Sequence, residues 1–89
     1  MVRYRISPSA LVQEVISEMV ILDLHRGTYF ELNETGSAIL RNLRETGDPE
    51  QALTLILREY DVNRETIRED LQDLLNKLEN NGLIEKISN

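Results

Sequence analysis

Branched and aromatic residues alternate with polar ones through the first third of the chain, and at Asn33 the apolar spacing lengthens to that of a helix. Three stretches carry the alternation: Leu11-Val12-Gln13-Glu14-Val15-Ile16, Met19-Val20-Ile21-Leu22-Asp23-Leu24 and Thr28-Tyr29-Phe30-Glu31-Leu32. Short alternating runs of this composition predict strands. Ser17-Glu18 leaves room only for a very tight first connection. His25-Arg26-Gly27 supplies the second, where Gly27 can adopt the positive φ that a hairpin turn demands. Strands joined this closely pair antiparallel, so the pattern predicts a three-stranded meander.

Asn33 is a good N-cap, and Ile39, Leu40 and Leu43 form an apolar stripe before Gly47, which predicts a first helix over 34–46. Asp48 caps a second helix with Pro49 at its first position; Ala52, Leu53, Ile56, Leu57 and Tyr60 keep the helical spacing as far as Tyr60-Asp61. Asn63 caps the third and longest helix, where Ile67, Leu71, Leu74, Leu75 and Leu78 share a face until Asn81-Gly82 stops it. Leu83 to Ile87 alternates again and fits either a further strand or an extended arm. The expected fold class is α+β: a three-stranded antiparallel sheet followed by three helices, winged helix-turn-helix-like, in a single domain over 1–89.

Composition narrows what such a domain can do. At 89 residues folding hides only about 60 to 65% of the chain's surface, so a deep active-site cleft has little room. Without cysteine there is no disulfide, thiol nucleophile or thiolate metal site, and the single histidine cannot build a zinc site. No long apolar run or secretion signal is visible, so the expected compartment is the cytoplasm and no membrane partner is expected. The net charge of -6 is uneven: residues 1–33 hold three basic and four acidic side chains, and residues 34–89 hold seven and twelve. In a winged helix the third helix would enter a DNA groove. Here Asn63 to Asn80 carries Arg64, Arg68 and Lys77 against Glu65, Glu69, Asp70, Asp73 and Glu79, a net of -2 that phosphates would repel. A DNA-binding role is the distant alternative, and no nucleic-acid partner is expected.

Catalytic machinery is not apparent. Phosphate loops, dinucleotide glycines, a nucleophile elbow and zinc motifs are missing, while Glu69-Asp70 and Asp48-Glu50 read as solvated helix faces or helix-start charges. His25 reads as an exposed turn residue. No enzymatic activity, cofactor or metal is expected. What remains is a sheet edge: Thr28 to Leu32 leads straight into the helices, and an edge strand can take up an extended peptide through its unpaired backbone groups.

The run Leu22-Asp23-Leu24-His25-Arg26-Gly27-Thr28-Tyr29-Phe30-Glu31-Leu32-Asn33-Glu34-Thr35-Gly36 resembles the LDLxxGxYYxLNxTG signature of the PqqD-like proteins. The similarity continues through Ala38-Ile39-Leu40, Tyr60-Asp61-Val62 and the Leu71 to Leu78 helix into Asn81-Gly82-Leu83-Ile84, so it spans nearly the whole chain; Leu40 stands where many relatives have Trp, a packing variation. The resemblance implies a precursor-peptide recognition element. Such a domain does no chemistry. It binds the leader of a ribosomally made peptide as an added strand, antiparallel to the third strand and in the cleft between that strand and the third helix. For a small free-standing chain the expected partners are the leader and, in lasso-peptide systems, a leader peptidase that precedes a cyclase. The alternative is a chaperone for pyrroloquinoline quinone or another radical-enzyme-modified peptide.

Carried onto this chain, the implied contacts come from 28–32 and from about 64–78. Alternation puts Phe30 and Leu32 on one strand face, assigned to the helix side, with Tyr29 and Glu31 on the other; Thr28 begins the strand. On the third helix Leu71 and Leu74 belong mainly to the apolar stripe. Arg68, Asp70, Asp73 and Lys77 flank it and are candidates for the outer wall of a groove.

Overall fold

A computed structural model describes residues 2–88, in the order β1 (Val2–Ile6), β2 (Ala10–Val15), β3 (Glu18–Asp23), β4 (Thr28–Glu31), α1 (Glu34–Thr46), α2 (Pro49–Glu59), α3 (Arg64–Asn80) and β5 (Ile84–Ser88). The expected meander is present as an antiparallel sheet ordered β2-β3-β4. A second, two-stranded antiparallel sheet pairs β1 with β5, Tyr4 opposite Lys86 and Ile6 opposite Ile84. The tail is therefore a strand. Its partner β1 was not anticipated, although Val2-Arg3-Tyr4-Arg5-Ile6 alternates and Tyr4 is buried in the core.

The first hairpin turns one residue earlier than the apolar run suggested, with Val15 opposite Glu18 and the turn at Ile16-Ser17. Ile16 holds φ at 60°. A β-branched side chain at positive φ is uncommon, so local composition points to strand where the pairing imposes a turn. At the second hairpin Gly27 takes φ 71°, and the buried Asp23 carboxylate accepts from the backbone N–H of His25 (3.0 Å) and Arg26 (3.1 Å).

The helices begin where the caps require. Asn33 Oδ1 accepts from Gly36 N at 2.8 Å, Asp48 Oδ1 from Glu50 N at 3.0 Å and Asn63 Oδ1 from Thr66 N at 3.1 Å. Each bond satisfies an N–H that the first helical turn would leave unpaired. Met19 and Ile21 of β3 meet Ile39, Leu40 and Leu43 of α1, Leu53 and Ile56 of α2, and Ile67, Leu71, Leu75 and Leu78 of α3 in one core. Leu40 is completely buried there. Ser37, also fully buried, joins α1 to the sheet: its hydroxyl accepts from Met19 N at 2.8 Å and donates to the Leu32 carbonyl at 3.2 Å. It stands in for one rung of the β3–β4 ladder and turns the chain from β4 into α1.

Candidate functional site

β4 is an outer strand of the three-stranded sheet, and its hydrogen-bonding phase can be read from one contact. Leu32 N donates to Met19 O at 3.0 Å, so Leu32 faces β3. With Phe30 opposite Ile21 and Thr28 opposite Asp23, antiparallel alternation points Phe30 and Thr28 inward and leaves the backbone N–H and C=O of Tyr29 and Glu31 directed away from the sheet. Two residues thus present four backbone groups to an incoming chain.

Beside this edge runs a groove of about 280 Å³, lined by Glu31, Leu32, Asn33, Thr35, Gly36, Ile39, Asp70, Asp73, Leu74 and Lys77. α3 forms its far wall and the first turn of α1 closes one end. Gly36 eases that closure: a Cβ there would stand 3.3 Å from Asn33 Oδ1, tighter than most contacts of a real side chain, and 3.4 Å from Leu32 Cβ. A depression of similar size, about 330 Å³, lies at the β2–β3 hairpin, but residues 15–20 and Glu31 alone line it and no helix walls it.

Of the residues assigned from the sequence, Glu31, Leu32, Asp70, Asp73, Leu74 and Lys77 meet in the groove. Phe30 lies on the core side of the sheet and is half-buried; the Lys77 ammonium covers its ring, 5.1 Å from the centroid. Tyr29 is on the opposite face, 61% exposed, and Thr28 is exposed at the strand's start. Leu71 is buried in the core. Arg68 is engaged with Glu50 of α2 at 3.1 Å, outside the groove lining. The sequence identifies Asn33 as a helix cap and Ile39 as part of its stripe, and Thr35 and Gly36 only as members of the motif. The signal for Asn33, Thr35 and Gly36 lies in the Leu-Asn-x-Thr-Gly part of that motif, which places the first turn of α1 at the groove's end.

Among the described residues no group of three or more His, Cys, Asp or Glu is arranged to hold a metal, and no helix is long and apolar enough to cross a membrane. The site offers backbone donors and acceptors, an apolar floor at Leu32, Ile39 and Leu74, and a charged rim. That combination suits an extended peptide.

The sequence matches the family described as Coenzyme PQQ synthesis protein D (PqqD) over residues 18–84. No curated protein matches the chain. Among solved structures, TbiB1 in complex with the TbiA(beta) leader peptide is 38% identical, with 96% of this chain and 99% of that one covered and a TM-score of 0.83. A lasso peptide synthetase B1 complexed with the leader peptide is 29% identical, with 93% and 98% covered and a TM-score of 0.80.

Proposed function

The chain belongs to the PqqD family, and from that premise we propose that it captures the leader of a ribosomally made precursor peptide as a strand added to β4 and delivers it to a leader peptidase and cyclase. The observation that carries the reading is the pairing of an open β4 edge with a groove walled by α3. Four added hydrogen bonds at about 0.5 to 1.5 kcal/mol each would contribute about 2 to 6 kcal/mol, less than the roughly 8 kcal/mol of a micromolar complex. Side chains must supply the rest, and Leu74 in the groove and the partly buried Phe30 beneath Lys77 at its side are the anchors assigned to that role. Both solved relatives are complexes with leader peptides, which supports leader capture, and the lasso peptide synthetase B1 supports the lasso-peptide type. The family's description favours a second reading, service to a quinone-cofactor pathway. In either case the domain acts by binding, and the chemistry belongs to its partner enzymes.

The test is amide hydrogen exchange with and without the leader of its precursor peptide. The N–H groups of Tyr29 and Glu31 should exchange freely alone and become protected in the complex, whereas Phe30 and Leu32, already bonded to β3, should change little. Protection confined to α2 would rule out strand addition.

A further inference from the structure

On the reading of the groove as a strand-addition site, we propose that its rim is charge-polarised. It would select peptides that carry a basic side chain where they pass Asp70 and Asp73 and an acidic side chain where they pass Lys77.

The direction of the polarity follows from how α3 lies against β4. At the hairpin end Arg26 Nη1 donates to Asn81 Oδ1 at 3.4 Å, just past the end of α3. One turn back, Lys77 lies over Phe30 in β4. Asp70 and Asp73 share the groove with Asn33, Thr35 and Gly36, at the start of α1. The helix therefore runs antiparallel to β4, with its ammonium toward the hairpin and its carboxylates toward α1. The positive end of α1 is already met by the Asn33 cap and by Glu34 in the first turn, so the carboxylates dominate that end.

The charges of α3 that face the rest of the protein are matched within the chain, Arg68 by Glu50 at 3.1 Å and Glu79 by Lys86 at 3.7 Å. Among the described residues the charged side chains that line the groove, Glu31, Asp70, Asp73 and Lys77, take part in no ion pair. Lys77 stands four residues beyond Asp73, the spacing at which helical pairs form, yet it rests on the Phe30 ring. Groove-facing charges left unmatched beside four unmatched backbone groups fit one ligand, an extended peptide that supplies both. An acidic side chain at the Lys77 end would also draw the ammonium off Phe30 and open that ring to an apolar anchor.

Seven residues of helix separate Asp70 from Lys77 by about 10 Å, which an extended chain covers in about three residues. Because side chains on one strand face recur every second residue, the basic and acidic residues of the peptide should be two or four positions apart. In antiparallel addition the basic residue comes first, and in parallel addition second, so the order also reports strand direction.

The experiment is selection of a displayed library of random peptides about a dozen residues long on the full chain, repeated on the triple variant Asp70→Lys, Asp73→Lys, Lys77→Glu. Peptides enriched on the parent should show the paired charges in one order, and the order should invert on the variant. A synthetic peptide of the selected order should bind the parent about tenfold or more tighter than its charge-swapped twin, a gap that narrows at high salt. If the triple variant fails to melt cooperatively, Asp70→Asn and Asp73→Asn with Lys77→Gln should erase the preference instead. Selected peptides that protect the Tyr29 and Glu31 amides yet show no charge order would overturn the polarity and leave strand addition standing. Selected peptides that bind elsewhere would overturn strand addition, and the polarity with it.

Discussion

The three-stranded sheet has two open edges, β2 and β4, and their backbones offer nearly the same thing. Because residues 19, 21 and 23 of β3 face β4, residues 18, 20 and 22 face β2, and their partners Val15, Gln13 and Leu11 are spent on that ladder. Ala10 N donates to Ser7 O at 3.0 Å, so Val12 and Glu14 keep outward N–H groups, as Tyr29 and Glu31 do on the other side. What differs is the neighbour. β4 faces a groove walled by α3 with Leu32, Ile39 and Leu74 inside it. β2 has beside it Arg41, which pairs with Glu14 at 3.4 Å and donates to the Ser17 carbonyl at 3.3 Å. An open edge supplies capacity for hydrogen bonds, while affinity requires desolvated anchors beside it. By that measure β4 is the proposed site and β2 is only an edge.

The strongest way to break the comparison is to remove an outward donor. Glu31→Pro deletes one outward N–H and puts a ring in the path of an added strand, while the β3 ladder, which uses Phe30 and Leu32, is spared. Leader binding measured by calorimetry should weaken by about thirtyfold, corresponding to about 2 kcal/mol. Unchanged affinity would mean that the peptide does not pair with β4. Phe30→Ala comes next. Loss of a buried anchor commonly costs about 2 kcal/mol, but Phe30 is only half-buried and capped by Lys77. A loss of about tenfold or somewhat more is expected, provided circular dichroism shows the variant folded. Binding equal to the parent would leave the affinity to the charged rim.

Much of this contrast was legible in the chain. The helix limits were readable because Asn33, Asp48 and Asn63 each cap by a local hydrogen bond, and local chemistry needs no knowledge of the fold. The faces of β4 were readable from its alternation, with Leu32 buried and Tyr29 exposed. β1 was missed because its evidence is its pairing with β5, Val2 lying opposite Ser88, and no local pattern reveals a partner at the other end of the chain. The shifted first hairpin has a similar cause, since Ile16 is a strand former forced into a turn by the register. In the groove, periodicity named Asp70, Asp73 and Lys77 as flanking the stripe. It could not show that Arg68 turns to Glu50 or that Lys77 covers Phe30, because both depend on how α3 is rotated against its neighbours.

The smallest expected effect sharpens the comparison most, because it uses the same substitution on the other edge. Glu14→Pro also removes an outward N–H from an edge strand, at an exposed position whose neighbours Gln13 and Val15 hold the ladder to β3. The residue before a proline is pressed toward extended backbone, which Gln13 already has as part of β2. The substitution also removes the Arg41 pair, but both side chains are well exposed there, at 36% and 45%, and such a pair stabilises by about 1 kcal/mol or less. Folding should therefore survive with a slightly lower melting temperature, and leader affinity should stay within about twofold, below 0.5 kcal/mol. With Glu31→Pro crippled and Glu14→Pro intact, backbone capacity is common to both edges and the α3 wall makes the difference. Equal losses at the two edges would mean that proline acts by loosening the whole sheet, and a larger loss at Glu14 would move the site to β2.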